Sequence, residues 1–320
     1  MPPDRSTQLR LRRSHVIAFI RLGRPLFLGG GFVLYGLGAA LAATAGHPLD
    51  ARRYVLGQLV VTAFQLMTHY ANDYYDYDAD RANTTPTAWS GGSRVLAEGE
   101  LPRATALVAA LVLAALGGVA AIALLRTPGA GPLVAPTIAV IAGLSWAYSA
   151  PPLRLCARGL GELDTAVVVT GLVPWLAFYL QAGDCRGASA LVAAIAPLAC
   201  LQFAMLLAIE LPDAVGDAAT GKATLVVRLG AERAVRLYVV VLVLAYSALA
   251  IGALTALPAA LALAGVASLP VAVWRSVRIA DHRDPAAWEG IGFWAVALLI
   301  ATATAELIAA TAMAASSATR

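Results

Sequence analysis

The chain has 320 residues, of which 60% are hydrophobic and 13% are charged, and its mean hydropathy is +0.74. These values lie far outside the range of soluble globular domains, so they exclude a soluble protein and predict an integral membrane protein in a lipid bilayer. The formal net charge of +4 does not indicate a nucleic-acid partner, because the basic residues fall in short connections where they would face anionic lipid.

Apolar stretches follow one another along the whole chain, each close to the roughly 20 residues that a helix needs to cross a bilayer. Backbone groups in lipid must be satisfied internally, and the alternating pattern of a membrane barrel is absent, so these spans are predicted to be helices. The predicted fold class is all-α: a polytopic membrane protein with nine transmembrane helices in a single domain, residues 1–320. The predicted spans are Leu26–Ala45, Tyr54–Tyr70, Ala104–Leu125, Pro132–Tyr148, Thr165–Leu180, Ala188–Ile209, Leu237–Leu254, Ala259–Trp274 and Ile291–Met313.

The basic residues predict how these spans are oriented. If the basic N-terminal segment, residues 1–24, is cytoplasmic, most Lys and Arg lie on that side of the membrane, as the positive-inside rule requires. The segment lacks an apolar core followed by a small-residue cleavage site, so we expect no removed signal peptide. We predict a multi-pass protein of the cell inner membrane with a cytoplasmic N-terminus. Only five of the 23 basic residues contradict this orientation: Arg52, Arg53, Arg126, Arg186 and Arg320.

The second span is followed at once by the acidic sequence NDYYDYDAD. If the helix of this span continues, Asp73, Asp76 and Asp80 fall at i, i+3 and i+7 and share one face. Asn72 lies beside that face, whereas Asp78 points elsewhere. We therefore expect Asn72 and the three aspartates, without Asp78, to form one cluster.

A second acidic sequence, ELPDAVGD, follows the sixth span. Glu210, Asp213 and Asp217 repeat the spacing of the first cluster, and Pro212 is predicted to kink or restart the helix between them. Both clusters lie at the predicted cytoplasmic ends of spans. We expect them to face each other across one central cavity that is open to the cytoplasmic side.

Carboxylates in such positions are often ordinary solvated loop charges or helix caps. Two clusters with the same spacing favour a bound cation instead, because like charges destabilise a helix by roughly 0.2 to 0.5 kcal/mol per pair. Oxygen ligands without nearby Cys or paired His are typical of Mg²⁺, which usually bridges carboxylates to substrate phosphates. The sequence therefore predicts Mg²⁺ as cofactor and a diphosphate as substrate.

Basic residues near both clusters are candidates for binding that diphosphate. The sequence SGGSR, which ends at Arg94, combines a flexible backbone that can direct N–H groups at phosphate oxygens with a positive charge. The sequence GKAT contains Lys222, and Arg228 follows it. Arg24, at the cytoplasmic start of the first span, can join them, although anchoring of the span explains this residue equally well.

At this point the chain resembles the UbiA superfamily of intramembrane aromatic prenyltransferases, and the resemblance covers all nine predicted spans. The second signature of that family is three acidic residues at the spacing found here, with Glu in a position where Asp or Asn is usual. The sequence from 221 to 230 and the sequence YSAPPLRLCARGLGEL, from 148 to 163, also look like loops of the family. The first signature of the family matches fully at Asn72, Asp73, Asp76 and Asp80.

The resemblance implies that a polyprenyl diphosphate, held through Mg²⁺ by both clusters, ionises to an allylic cation that an aromatic acceptor attacks. Tyr148 and Arg158 are candidates for contacting the acceptor, although an interfacial Tyr and a cytoplasmic Arg need no substrate to explain them. The implied metal ligands are Asn72, Asp73, Asp76, Asp80, Glu210, Asp213 and Asp217, and all of these except Asn72 and Glu210 are also implied to be catalytic.

Within the superfamily, GGSRVL at 91–96 and LPD at 211–213 look most like the menaquinone branch, whose acceptor is 1,4-dihydroxy-2-naphthoate. A 4-hydroxybenzoate-type or other quinone-precursor acceptor, and a membrane terpene cyclase without external acceptor, are the alternatives. A secondary transporter is the alternative outside enzymes, because broken helices and intramembrane carboxylates also mark transporters. Transport carboxylates lie near the bilayer midplane, whereas these lie at the cytoplasmic ends of spans, which favours the enzyme.

Overall fold

The computed structural model of the protein describes the backbone of residues 5–318 and the side chains of residues 14–317. Within this range the chain forms helices and connecting turns and no strand, so the all-α prediction is confirmed. Five of the basic residues used to predict the orientation lie outside the described side chains. Four were predicted to be cytoplasmic, namely Arg5, Arg10, Arg12 and Arg13, and Arg320 was predicted to lie on the opposite side of the membrane.

The first half of the chain contains eight helices. A π-helical segment, Ala166–Leu172, joins the last two of them into one helical stretch, Gly161–Ala182. The helices are α1 (Arg5–Leu22), α2 (Pro25–Thr44), α3 (Ala51–Tyr75), α4 (Tyr77–Ala82), α5 (Arg103–Leu125), α6 (Val134–Ala147), α7 (Gly161–Thr165) and α8 (Val173–Ala182).

The second half contains long helices separated by one extended connection, which holds two short helices. The helices are α9 (Ala188–Glu210), α10 (Ala214–Ala219), α11 (Leu225–Leu229), α12 (Ala231–Thr255), α13 (Ala259–Val266), α14 (Leu269–Arg278) and α15 (Trp288–Ala318).

Seven helical stretches of the described residues are long and apolar enough to cross a membrane, so the chain is a multi-pass membrane protein. The other two predicted spans correspond to α3 and α6. The apolar α6 has only 14 residues, and α3 has the length of a span but is more polar because of Gln58, Gln65 and the residues near its end. Each predicted span therefore falls mainly on helical residues, although the span Ala259–Trp274 is divided between α13 and α14.

Close helix pairs surround one central space. The helix α3 packs along α5, α2 along α8, and α9 along α12, while α15 lies against both α2 and α9. Gly38 of α2 lies so close to the backbone of Pro174 in α8 that any side chain at this position would collide with it. Small residues at such crossings let two helix backbones approach closely within lipid. This packing leaves α2, α3, α6, α9 and α15 around a common cavity.

Two helix breaks lie next to each other at one end of this space. The helix α3 ends at Tyr75 and α4 begins at Tyr77, which leaves Asp76 between them. The helix α9 ends at Glu210 and α10 begins at Ala214, so the predicted restart at Pro212 is confirmed. The short helices α4 and α10 pack together, with Gly216 against the backbone of Asn83. The two acidic segments are thereby brought side by side.

Candidate active site

A cavity of about 200 Å³ lies between the helices, with apolar walls and one polar end. Its walls include Leu34, Val61 and Leu299, from three different helices. The polar end carries Arg24 and Asn72 and adjoins both acidic segments. An apolar space that ends in a few convergent polar groups is typical of a ligand site.

The first acidic cluster points into the protein. Asp73 and Asp76 are 2% and 3% exposed, whereas the Asp78 side chain is 73% exposed and lies 3.9 Å from Arg103. The helical-face prediction is confirmed for these three residues. It is wrong in one respect, because the helix does not continue through the cluster but breaks at Asp76.

Arg24 joins the first cluster through the backbone turn between α1 and α2. It adopts left-handed backbone angles, with a φ of 49°, and its Nη2 donates to Asn72 Oδ1 at 2.8 Å and also to the Asp73 carboxylate. Asn72 Nδ2 in turn donates to Asp76 Oδ2 at 2.7 Å and to Ser149 Oγ at 3.0 Å. Asn72 therefore belongs to the cluster, as predicted, and orients the carboxylate of Asp76.

The glycine-rich loop after α4 supplies hydrogen-bond donors to both clusters. The Gly91 N–H donates to Asp213 Oδ2 at 2.9 Å, and the Ser93 N–H and hydroxyl both donate to Asp73. Gly92, with a φ of +72°, lies against the carboxylate of Asp80, where a Cβ atom would overlap the carboxylate atoms. The backbone N–H groups of this loop, which the sequence analysis assigns to phosphate oxygens, thus donate to carboxylates of the two clusters.

The second cluster contacts the first through short polar links. Asn83 Nδ2 donates to Asp213 Oδ1 at 2.7 Å, so the residue just after α4 is tied to the second cluster. Glu210 is 8% exposed and its carboxyl group faces that of Glu162 at the start of α7. Within the second cluster, Glu210 therefore faces another acidic residue, whereas Asp213 accepts a hydrogen bond from Asn83.

Lys222 connects the two clusters directly. Its Nζ lies 2.9 Å from Asp76 Oδ2 and 3.3 Å from Asp217 Oδ1. Burial lowers the pKa of Lys222, but the charges of Asp76 and Asp217 outweigh this effect and hold the pKa well above its ordinary value. The ammonium group therefore stays charged and bridges two carboxylates that come from opposite halves of the chain.

The carboxylates nevertheless exceed the cations that face them. Burial raises the pKa of Asp217 to about 6 despite the nearby Lys222. Burial also raises the pKa of Asp80 well above its usual range, and the charges of Asp73 and Asp76 add to the effect. Three carboxylates, those of Asp73, Asp76 and Asp217, share ion pairs with only two cations, Arg24 and Lys222.

Comparison with known proteins decides the family. The sequence model of the UbiA prenyltransferase family matches residues 32–297, a range that includes both acidic clusters. The chain belongs to the UbiA prenyltransferase family. It is also 30% identical over 228 residues to the 1,4-dihydroxy-2-naphthoate octaprenyltransferase of Escherichia coli (strain K12), an alignment that covers 70% of this chain and 72% of that protein. The predicted resemblance is confirmed, and the protein is a prenyltransferase.

Solved structures of UbiA homologues have the same fold. A UbiA homologue from Archaeoglobus fulgidus bound to DMAPP and Mg²⁺ aligns with a TM-score of 0.64 at 17% identity, over 91% of this chain and 99% of that one. The same homologue bound to GPP and Mg²⁺ aligns with a TM-score of 0.63 at 18% identity, over the same shares of the two chains. At these identities the likeness establishes the shared fold.

The side chains of this UbiA-family site fit a divalent cation. Within the two acidic clusters, the buried carboxylate oxygens without a hydrogen-bond donor are Asp76 Oδ1, Asp217 Oδ2 and Glu210 Oε2. Hard oxygen donors with an excess of negative charge are what Mg²⁺ selects. Within residues 14–317, no three acidic, His or Cys side chains are grouped tightly enough to hold a metal as they stand. At the junction of the two clusters, the ammonium group of Lys222 lies between Asp76 and Asp217.

The remaining predicted residues of this UbiA-family chain differ in position. Tyr148, the predicted acceptor contact, lines the cavity. The Arg94 guanidinium donates to the backbone carbonyl of Asp80 and lies 3.6 Å from Glu98. Arg158 and Arg228 are exposed and donate to the carbonyls of Pro152 and Ala223 at 2.8 Å and 2.9 Å. The structure therefore brings Arg24 and Lys222 onto the carboxylates, and it leaves the two exposed arginines outside the cavity lining.

Several polar side chains that contact the clusters or line the cavity were not identified from the sequence. Asn83 links the clusters, Ser149 supports Asn72, and Glu162 faces Glu210. Asp164 lines the cavity, and its Oδ1 is buried without a partner. The one available signal was the pair of acidic residues in GELDT, directly before an apolar span, where ionisable groups are rare and commonly functional.

Proposed function

We propose that this UbiA-family protein transfers a polyprenyl group from a polyprenyl diphosphate to an aromatic quinone precursor, 1,4-dihydroxy-2-naphthoate, in a Mg²⁺-dependent reaction that releases pyrophosphate. The observation that carries the proposal is the junction of the two acidic segments at the polar end of an apolar cavity, where Lys222 contacts Asp76 and Asp217. The cavity walls suit an isoprenoid chain, and the charged end suits a metal-bound diphosphate.

The diphosphate is assigned to the charged end. Magnesium, when bound there, would neutralise the negative charge that develops on the leaving pyrophosphate. Arg24 and Lys222 supply fixed positive charge at the same end, and Arg94 adds a third cation behind Asp80. The residues assigned to metal binding are Asn72, Asp73, Asp76, Asp80, Glu210, Asp213 and Asp217.

Two cations remain farther out. Arg158 and Arg228 lie on two short helical segments whose neighbouring residues touch, since the Ala223 N–H donates to the Ala157 carbonyl at 3.2 Å. Because both side chains are exposed, we assign them to attraction of the anionic substrate rather than to contact with the bound diphosphate.

The apolar walls protect the reaction. An allylic cation formed beside Asn72 and Tyr148 would be quenched by water, so a water-poor space is required around it. The walls of the cavity are built mainly from aliphatic side chains of α2, α9 and α15. The acceptor is assigned to the part of the cavity near Tyr148, where its reactive carbon would lie beside the polar end.

The choice of acceptor rests on similarity to the Escherichia coli enzyme, which is named for 1,4-dihydroxy-2-naphthoate. The structures of the Archaeoglobus homologue with DMAPP or GPP and Mg²⁺ support a prenyl diphosphate and magnesium as the other components. In the membrane we propose nine crossings, including α3 and α6, with the N-terminus and the acidic clusters on the cytoplasmic side of the inner membrane. The distribution of Lys and Arg supports this orientation.

The test is an assay of the purified protein with a radiolabelled polyprenyl diphosphate, with Mg²⁺ or with EDTA. The acceptors are 1,4-dihydroxy-2-naphthoate, 4-hydroxybenzoate and none. We expect Mg²⁺-dependent prenylated naphthoate. If product forms only with 4-hydroxybenzoate, that compound is the acceptor and the naphthoate assignment is wrong. If a cyclised hydrocarbon forms without any acceptor, the protein is a terpene cyclase. Uptake of substrate into vesicles without any product would reject the enzyme function.

A further inference from the structure

We propose that Asp164 binds a hydroxyl group of the aromatic acceptor and so sets the orientation of the acceptor in the cavity. This inference rests on the proposed function and adds a specificity-determining residue to it. Asp164 lies on α7, in the wall of the same cavity that Arg24 and Asn72 close at its charged end.

The side chain of Asp164 lacks the partners that a purely structural acid would have. It is 7% exposed, its Oδ1 is buried without a hydrogen-bond donor, and no described residue forms an ion pair with it. An acidic residue in the first turn of a helix is favourable for the helix dipole, but this carboxyl group caps no backbone N–H. A buried carboxyl group without a partner is costly, so a ligand that supplies a hydroxyl group would satisfy it.

Asp164 is separate from the metal-binding clusters. Glu162, two positions earlier, turns toward Glu210 at the end of α9. Residues at i and i+2 do not share a helix face, so Asp164 faces the cavity while Glu162 faces the second cluster. Its carboxyl group would also repel a diphosphate, and an isoprenoid chain has no donor for it. Among the substrates of the proposed reaction, only the acceptor carries a matching group.

The surroundings of Asp164 suit an aromatic ring with a polar edge. Val168, Met205 and Ile209 provide apolar wall, and Gln202 adds a buried amide in the same cavity. The ring of Tyr148 packs beside Gly161, one turn before Asp164. A ring placed here would direct one hydroxyl group to Asp164 and the opposite edge toward the charged end.

The test compares the effect of substituting Asp164 with the effect of removing one hydroxyl group from the acceptor, separately and together. The enzyme and its Asp164→Leu and Asp164→Asn variants are assayed with 1,4-dihydroxy-2-naphthoate and with its two mono-O-methyl ethers. For Asp164→Leu we expect the KM of the acceptor to rise at least tenfold, with the KM of the prenyl diphosphate within twofold. One methyl ether should lose at least tenfold in kcat/KM with the wild-type enzyme and less than threefold with Asp164→Leu. Asp164→Asn keeps a hydrogen-bonding group, so its acceptor KM should lie between those of the wild type and Asp164→Leu.

The matched control is Glu306→Gln on α15. Glu306 is also completely buried, and neither carboxylate oxygen has a donor, but it does not line the cavity. The Glu306→Gln variant should therefore leave the KM of the acceptor and the KM of the prenyl diphosphate unchanged. Thermal unfolding of each variant checks folding, and Asp164→Asn carries the test if Asp164→Leu does not fold.

Unchanged acceptor KM in both Asp164 variants, or equal losses for the methyl ethers in all forms, would overturn the inference while leaving the proposed function intact. A wild-type protein that prenylates no hydroxylated aromatic acceptor would instead overturn the proposed function, and the inference with it.

Discussion

Lys222 Nζ lies 2.9 Å from Asp76 Oδ2, and this ion pair joins a loop of the second half of the chain to the helix break of the first half. Both side chains are largely buried, at 13% and 3% exposure. In a site shielded from water the Coulomb attraction within the pair is stronger than at the surface, and removal of one partner leaves a buried charge uncompensated. The pair therefore links the assembly of the site to its electrostatics.

Lys222→Met is expected to lower kcat by about 100-fold, the typical effect of removing one group that stabilises developing negative charge. The same variant should unfold at a lower temperature without metal, because Asp76 and Asp217 lose the charge between them. Measurements are turnover with saturating substrates and thermal unfolding with and without Mg²⁺. Arg228→Met, which removes an exposed cation from the adjacent helix, is the control and should retain most of the activity. Normal kcat in Lys222→Met would contradict the assignment of this residue.

The effect of an Ala substitution on turnover should depend on whether the acidic side chain of the first segment points into the site or into solvent. Asp73→Ala and Asp76→Ala, like Asp213→Ala in the second segment, are expected to abolish turnover while the protein stays folded in detergent. Asp78→Ala should have a mild effect, since Asp78 is exposed and only approaches Arg103. Product formation and thermal unfolding would be measured for all four variants. Near-normal turnover in the three buried-cluster variants would reject their role in metal binding.

Asn83 is predicted to act as a positioning residue for Asp213. Asn83→Ala removes the 2.7 Å hydrogen bond to Asp213 without removing a carboxylate. Loss of such outer contacts typically costs about 10- to 100-fold in metal affinity or activity, so the Mg²⁺ concentration for half-maximal activity should rise. The exposed neighbour Thr84 provides the control, as Thr84→Ala should leave the Mg²⁺ dependence unchanged. An unaltered Mg²⁺ dependence in Asn83→Ala would show that Asp213 needs no such support.

The sequence predicts the spans and the acidic clusters well, because apolar length and helical spacing are local properties. Burial of Asp73 and Asp76 and exposure of Asp78 follow from the helical period alone. The break at Asp76 does not follow from that period. There the carboxylate contacts Asn72, one turn earlier, and Lys222, from the second half of the chain, and local spacing does not show the second of these contacts. A continuous helix was therefore the expected but incorrect form of this segment.

The roles of single polar residues were harder to predict for the same reason. Lys222 was identified as a phosphate-binding candidate, but its contact with Asp76 joins positions more than a hundred residues apart. Asp164 stands two residues from Glu162, and nothing local distinguishes the side chain that meets another acid from the one that lines the cavity. Such assignments need the relative placement of α7 and α9.

Two glycines of one loop allow backbone strain to be separated from displacement of a carboxylate. Gly92 and Gly99 have φ values of +72° and +74°, so an Ala side chain is unfavourable at both. A Cβ atom at Gly92 would overlap the Asp80 carboxylate, whereas nothing lies within 4 Å of one at Gly99. Gly92→Ala should therefore lower kcat/KM for the prenyl diphosphate by about 100-fold, as expected for a displacement of about 1 Å at a reacting site.

Gly99→Ala carries the backbone strain alone and should stay within about threefold of the wild type while losing about 1 kcal/mol of stability. Initial rates over a range of prenyl diphosphate and Mg²⁺ concentrations, together with thermal unfolding, would measure both effects. If the two variants lose activity equally, the loop acts through its backbone conformation, and contact between Gly92 and Asp80 has no separate part in the site. If only Gly92→Ala loses activity and added Mg²⁺ partly restores it, the position of the Asp80 carboxylate is what the glycine preserves.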